Sequence, residues 1–399
     1  MLRNLVIEDF KSIEKQRVEL GQINFFVGAN GSGKSNLLEA LGVLSAAADG
    51  RVDDGRLLER GVRPGVPSLY KSAFPVSAGK TRGASHVFFG AEDEGDASYE
   101  VSLHNPLRDP VPAWRYKTEV WRSGGNKIVG RSPRLRENPN TEQGLAALKG
   151  VERDRDDAAS RLLRLLQGYA IYSPVTNVLR GVAPETQPKA PIGLSGGLLP
   201  DAIAAVLASR SKDEYFVRIS REALQLIDWA KGYGYAPASA MPLSPAAAAT
   251  PRVIRFVDRF MRPGRNVISG YDASEGALFV LFATVLAAHE RMPLLFAVDN
   301  LDHGLNPRLA RALVQRFCGW LLDAPIARQA LITTHNPLVL DGLPMADDRV
   351  RLFTVARTSS GRTAIRRIEL TDALKKKAEE GWTLSRLWVA GHLGGVPNV

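Results

Sequence analysis

The chain has 399 residues, a net charge of +10, a single cysteine, and 45% hydrophobic against 24% charged residues; this balance excludes wholesale disorder, collagen-like repeats and disulfide scaffolds. The longest apolar run, Ala277 to Ala288, falls short of the ~18 residues of a membrane span. The opening MLRNLVIEDF lacks the long apolar core of a signal peptide, so the expectation is a soluble cytoplasmic protein with no membrane partner.

Residues 1–48 read as strand, turn, strand, loop and helix. Leu5-Val6-Ile7 and Gln22 to Val27 are β-rich, the loop Gly28–Lys34 follows, and SNLLEALGVLSAAA places apolar residues at helical spacing. Between 84 and 135, SHVFFGAE, SYEVSLH and WRYKTEVWR are separated by turn formers, which predicts a meander. Residues 141–231 look mostly helical (RLLRLLQGY, SREALQLIDWAKGY), with Pro/Gly/Ala-rich loops at 181–193 and 236–251. From 252 the pattern is strand, loop, long helix, strand, then a helix over 307–323, the strand ALITTH, a hairpin over RVRLFTVARTSSGRTAIRRIEL and a Lys/Glu-rich helix.

Four motifs carry chemistry. Gly28-Ala29-Asn30-Gly31-Ser32-Gly33-Lys34-Ser35 fits the phosphate-binding pattern G-x-x-x-x-G-K-[ST]. Its backbone N–H groups wrap a polyphosphate at a helix N-terminus; Lys34 reaches the β/γ-phosphates and the Ser35 hydroxyl holds Mg²⁺. Leu294–Asp299 describes a buried strand that delivers a carboxylate at its end, and in a phosphate-loop fold that carboxylate supports the metal. Two segments compete for a helix-opening signature, Leu194-Ser195-Gly196-Gly197 and Ala273-Ser274-Glu275-Gly276. Only the second leads through one apolar helix into the Asp299 strand, so Ser274 and Gly276 are favoured and Ser195–Gly197 is read as a plain loop. Finally, LITTH ends the next strand with His335, placed to touch a γ-phosphate.

Together GANGSGKSNLLEAL, DASEGAL, FAVDNLDHGLNP and TTHNP resemble the RecF/SMC/OLD-like branch of ABC-type ATPases, closely over 1–48 and 252–345. The resemblance implies an α/β fold: a phosphate-loop NTPase head of ABC type with an antiparallel β-meander subdomain and a helical insertion. It divides the chain into an N-terminal lobe (1–140), a helical insertion or lid (141–250), a C-terminal lobe with signature, metal-side carboxylate and switch histidine (251–345), and a hairpin with a C-terminal helix (346–399). It further implies a homodimer with two ATP–Mg²⁺ sandwiched between phosphate loop and opposing signature. In that scheme Asn30, Gly31, Ser32, Gly33, Lys34, Ser35 and Asn36, with Ser274 and Gly276 of the opposing copy, hold ATP. Ser35 and Asp299 take the metal, and Lys34, Asp299, Asn300 and His335 are the catalytic set.

Three departures bear on function. Asn300 stands where most relatives have the Glu that polarises attacking water, and an amide cannot take that proton; hydrolysis is therefore expected to be slow unless Asp302, Glu275 or His303 substitutes. Residues 141–231 show no sustained heptads, which speaks against long tethering arms. The 64 residues after His335 are too few for an appended nuclease domain, so any cutting falls to a protein effector in trans. Two basic stretches, Arg115 to Arg136 and Arg349 to Lys377, read either as phosphate-tracking surfaces for DNA or RNA or as solvated hairpin faces. Trp114, Trp121 and Cys318 read as core residues. The expected function is an ATP-dimerised ATPase that gates an effector in antiphage defence or DNA repair, with a RecF-like DNA clamp or a non-hydrolysing ATP-sensing scaffold as alternatives.

Overall fold

The structure, a computed structural model, describes residues 1–75, 85–131, 144–152, 157–209, 213–244, 247 and 250–395. Arg134 and Arg136 of the first basic stretch, part of the 236–251 loop and the last four residues lie outside the described residues.

The chain opens with a hairpin, β1 (Leu2–Phe10) and β2 (Ile13–Glu19), then the buried strand β3 (Ile23–Val27) and helix α1 (Lys34–Ala48). Short helices α2 (Asp54–Leu58) and α3 (Pro67–Tyr70) lead to β4 (Val87–Asp93), β5 (Ser98–His104), β6 (Arg115–Ser123) and β7 (Asn126–Arg131). Next come α4 (Ala158–Gly168), β8 (Ile171–Tyr172), α5 (Thr176–Leu179), α6 (Leu199–Ser209) and α7 (Glu214–Leu226), followed by β9 (Ala230–Pro237), β10 (Arg252–Asp258) and β11 (Val267–Ser269). The remainder is α8 (Glu275–Ala288), β12 (Leu295–Val298), α9 (Pro307–Leu322), β13 (Gln329–Thr334), β14 (Val350–Arg357), β15 (Thr363–Ile368), α10 (Asp372–Glu379) and α11 (Leu384–Val389).

These strands form three sheets, ordered β2-β1-β4-β5-β6-β7, β11-β10-β9 and β15-β14-β3-β13-β12-β8. The meander is thus continued on one side by the N-terminal hairpin, through the antiparallel pairing of β1 with β4. The third sheet is parallel from β14 to β8, with β15 antiparallel at the edge. Its central strands β3, β12 and β13 are buried at every position, as expected of a parallel sheet covered on both faces. Successive side chains alternate between faces. Ile23, Phe25, Val27, Phe296, Val298 and Ile332 belong to the core built from α6 to α9. Phe26, Leu295, Ala297 and Leu331 belong to the core shared by α1, α4 and the antiparallel sheet. One sheet therefore divides two cores.

Helix α8 is apolar all round and buried from Ala277 to Ala288, the signature of a core helix; among the described residues no helix is long and apolar enough to cross a membrane. Trp114, Trp121 and Cys318 are core residues at 4%, 3% and 0% exposure. The helix expected to run through LIDWAKGY stops at Leu226, and Ala230–Pro237 is a strand. Glycines at 232 and 234 disfavour helix, while β10 offers Phe256 as the cross-strand partner of Tyr233, whose hydroxyl reaches the Ser220 carbonyl.

The antiparallel sheet is locked to α1 by a buried polar knot. Tyr99 and Tyr116 hydroxyls both donate to the Ala47 carbonyl near the helix end, and Tyr99 also contacts Glu119 Oε1 at 3.1 Å. Glu119, fully buried, accepts from the Ala147 and Leu148 amides. Burial raises its carboxyl pKa above the ordinary range, against the opposing pull of those two amides and of Arg131. Replacing it strands several donors at once. Glu119→Ala is expected to cost about 3 kcal/mol by denaturant unfolding at neutral pH. Because the folded-state pKa is raised, the wild type should gain stability relative to Glu119→Gln on acidification and lose it as pH rises through that pKa; a pH-independent difference between the two would contradict this.

Candidate functional site

Parallel pairing puts the carboxyl ends of β3, β13 and β12 side by side: Val27 is in register with Thr334, and Ile332 with Val298. The residues that leave those three ends are Gly28, His335 and Asp299. Three segments separated in sequence thus meet at one sheet edge, the place where open α/β sheets bind ligands.

The loop after β3 needs its glycines. A Cβ on Gly28 would lie 2.1 Å from the Val355 carbonyl oxygen. Gly33 has φ +108, and a Cβ there would lie 2.2 Å from Thr363 Oγ1, so an L side chain is both strained and blocked. The loop is braced from outside. Thr363 Oγ1 donates to the Ser32 carbonyl, and Ser12 and Asn36 complete the chain at 2.7 Å each. Arg357 Nε donates to the Gly31 carbonyl, and the Ala29 amide donates to the Gly395 carbonyl. The hydroxyl of buried Ser32 has no partner among the described residues. Lys34 Nζ donates to the carbonyls of Gly28 and Ala29 at 2.7 and 3.0 Å. Burial lowers its pKa, while Asp299 and Asp302 pull it back up.

Ser35 Oγ donates to Asp299 Oδ2 at 3.0 Å across 264 sequence positions. The other oxygen of Asp299 accepts from Thr333 Oγ1, which in turn accepts from the Asn300 amide at 2.9 Å. Asn300 sits at φ 56, a left-handed conformation that asparagine tolerates well. His335 is half-exposed, with Nδ1 3.9 Å from Asp302 Oδ2. Asp302 is buried and its Oδ1 has no hydrogen-bond partner among the described residues. The Asp299 amide donates to the Tyr172 carbonyl, which sets the end of β8 alongside.

Ser274 is the exposed N-cap of α8, and its side chain makes no capping hydrogen bond. Its hydroxyl instead accepts from Trp229 Nε1 at 3.3 Å, so the structure does not join it to the Ser35–Asp299 cluster. Glu275 is held by Thr176. A Cβ on Gly276 would come within 2.9 Å of Leu309. In Leu194–Gly197, the Ser195 and Gly197 amides both donate to Glu185 Oε2 at 3.0 Å, so that segment already wraps a carboxylate of its own chain.

Beside the loop, a cleft of about 600 Å³ is lined by Lys11, Ser12, Asn36, Arg63, Tyr70 and Arg357 among others. Glu39 of α1 is buried beneath it and pairs with both Lys11 and Arg63. Among the described residues no group of three His, Cys, Asp or Glu forms a ready metal cage; a hard cation at Ser35 and Asp299 would need further oxygens, as phosphates or water supply. The braced glycine cradle, the Lys34 ammonium and the paired Ser35 and Asp299 oxygens therefore fit a nucleotide with Mg²⁺.

Sequence reasoning did not find Thr333, Thr363, Arg357, Trp229 or Gly395, since none belongs to a spacing pattern. Thr333, inside LITTH beside the chosen histidine, carried the one available signal: a hydroxyl one strand over from Asp299. Gly33→Ala is expected to weaken ATP binding at least about tenfold, by 1.4 kcal/mol or more, in a fluorescent-nucleotide titration. Full affinity in a folded Gly33→Ala protein would show that the loop tolerates the methyl group.

Residues 1–77 match a family model described as "AAA ATPase domain", and residues 247–341 match one described as "AAA domain, putative AbiEii toxin, Type IV TA system". The first contains the phosphate loop; the second contains Ser274, Asp299 and His335. The chain is 44% identical over 115 residues to "DNA replication and repair protein RecF" of Renibacterium salmoninarum, a match covering 27% of this chain. It spans 26%, about a quarter, of that curated relative's length. A solved Smc head bound to the C-winged helix domain of ScpA has a TM-score of 0.51 at 14% identity, covering 94% of this chain and 99% of that one. The SMC head domain from Thermotoga maritima gives 0.46 at 16% identity, covering 92% and 99%. The low identities speak to fold alone, and the fold is that of an SMC head. The two ATPase-domain matches hold all four motifs between them, and in these segments and in its fold the chain is similar to RecF/SMC-like ABC-type ATPases.

Proposed function

We propose that two copies of this chain close on ATP and that the closed dimer gates a separate effector, such as a nuclease, in DNA repair or antiphage defence. The observation that carries the reading is the hydrogen bond from Ser35 to Asp299, which joins the phosphate loop to the end of the neighbouring strand. Bound ATP with Mg²⁺ would supply the phosphates and the cation for that pair of oxygens. Lys34 gives up its two carbonyl contacts to meet phosphate charge, an exchange favoured by its burial. The exposed, uncapped start of α8 presents free N–H groups and the Ser274 hydroxyl outward, suited to an anion bound on a partner copy. His335 reaches the same edge, backed by the Asp302 carboxylate.

Turnover is slow in this reading, because Asn300 offers no proton acceptor. The ATP-bound dimer then lasts long enough to act as a signal. The two family-model descriptions, ATPase domains and a toxin–antitoxin system, support a role beside an effector. A RecF-like DNA clamp is the second reading, favoured by the 44% identity to a RecF protein.

Sedimentation of the full chain with ATP and Mg²⁺ should reveal a dimer absent with ADP. Ser274→Arg should keep nucleotide binding and lose the dimer, whereas a dimer undisturbed by Ser274→Arg removes the signature from the interface. Asn300→Glu is expected to raise steady-state turnover at least about tenfold. If turnover is unchanged there and collapses in Asp302→Asn, Asp302 is the base and the slow-switch reading fails. A duplex-dependent rise in turnover favours the clamp; an ATP-dependent pull-down of a protein partner without DNA favours the gated effector.

A further inference from the structure

The small sheet β11-β10-β9 ends in a turn, Arg259–Arg265, that belongs to neither basic stretch named from the sequence. Phe260 at its tip is 79% exposed, more than any other large hydrophobic side chain among the described residues, and Met261 beside it is 49% exposed. Exposed Arg259, Arg262 and Arg265 surround this pair. From Arg252 to Tyr271 the single carboxylate is Asp258, and it is buried and committed to the turn's own backbone: its Oδ1 accepts from the Phe260 and Met261 amides at 2.7 and 2.9 Å.

The tip is built rather than loose. The Asp258 amide donates to the Asn266 carbonyl, the Asn266 side chain returns a bond to the Asp258 carbonyl, and the Arg265 amide closes on the Arg262 carbonyl. At its root, the Arg259 amide donates to the Trp229 carbonyl and its guanidinium to the Ala230 carbonyl. Arg262 and Arg265 have no ion pair among the described residues, although arginines elsewhere in the chain are paired freely. Half-exposed Arg255 extends the charge along β10, whereas Arg252 at the start of that strand is paired with Asp201.

A preorganised turn that holds two apolar side chains in water between three arginines matches one partner chemistry closely. Arginine forks fit phosphate oxygens in pairs, and Phe and Met are among the side chains that wedge between base steps in the minor groove. We infer that the Arg259–Arg265 turn contacts duplex DNA, with Arg262 and Arg265 on backbone phosphates and the Phe260–Met261 pair against the base edges. The inference rests on the reading of the chain as a DNA-associated ATPase, and it places the contact on a hairpin whose root hydrogen-bonds to Trp229, the residue that engages Ser274.

The test is fluorescence anisotropy of the full chain with a labelled duplex of about three helical turns, roughly 30 base pairs, across a salt series and with and without ATP–Mg²⁺. The double variant Arg262→Glu/Arg265→Glu should bind at least about tenfold more weakly and lower the salt slope by about two. Phe260→Ser/Met261→Ser should weaken binding with the slope unchanged and abolish any bend seen by energy transfer between the duplex ends. Both pairs are exposed, so melting temperature and fluorescent-ATP binding should match the wild type. Wild-type duplex affinity in both variants overturns the inference, as does a wild-type protein that binds no duplex. Intact duplex binding with lost binding to phosphatidylserine vesicles assigns the turn to a lipid surface and overturns it too. Loss of the ATP-induced dimer in Ser274→Arg with the turn variants still defective on DNA is the outcome that supports both readings; a wild type that never dimerises while the turn variants lose DNA strikes the gating reading alone.

Discussion

The alignment of three parallel strand ends is the constraint on which everything else rests. Backbone hydrogen bonds between β3, β13 and β12 fix the relative height of Gly28, His335 and Asp299, and a parallel ladder allows no independent adjustment of one strand against the next. The contact between Ser35 and Asp299 follows from that register. A slip of one residue in β12 would turn its side chains to the opposite faces of the sheet, moving Phe296 and Val298 out of one core and Leu295 and Ala297 out of the other. Packing thus enforces the geometry that the chemistry needs.

Much of the site was legible because each motif states its own structural requirement. A glycine-rich loop between an apolar strand and an amphipathic helix has few other uses, and an apolar strand ending in Asp points its carboxylate to the edge where ligands bind. Ala273–Gly276 is favoured over Leu194–Gly197 by position alone, and in the latter segment Ser195 and Gly197 lend their amides to Glu185, a local need that small residues meet.

The parts that were not legible depend on pairings without a sequence period. Nothing in Ala230–Pro237 announces a strand until β10 is beside it, since alternating Gly and Tyr satisfies neither helix nor strand propensity on its own. The joining of β1 to β4 likewise depends on which edge is free after chain collapse. Thr363 and Arg357 brace the phosphate loop and Thr333 holds Asp299, and isolated Thr and Arg residues carry no pattern. Asn300 was legible as a chemical departure, but its left-handed backbone was not; that conformation shows why an amide residue sits comfortably at a sharp turn after the carboxylate.

The braces on the phosphate loop have a consequence for biosynthesis. Arg357 and Thr363 reach the loop from 326 and 331 positions downstream, and Gly395 caps Ala29 from further still. During vectorial synthesis the first fifty residues leave the ribosome carrying a complete loop sequence but none of its external supports. A nascent chain of that length lacks the hydrogen bonds from Thr363, Arg357 and Gly395 that brace the cradle in the folded molecule.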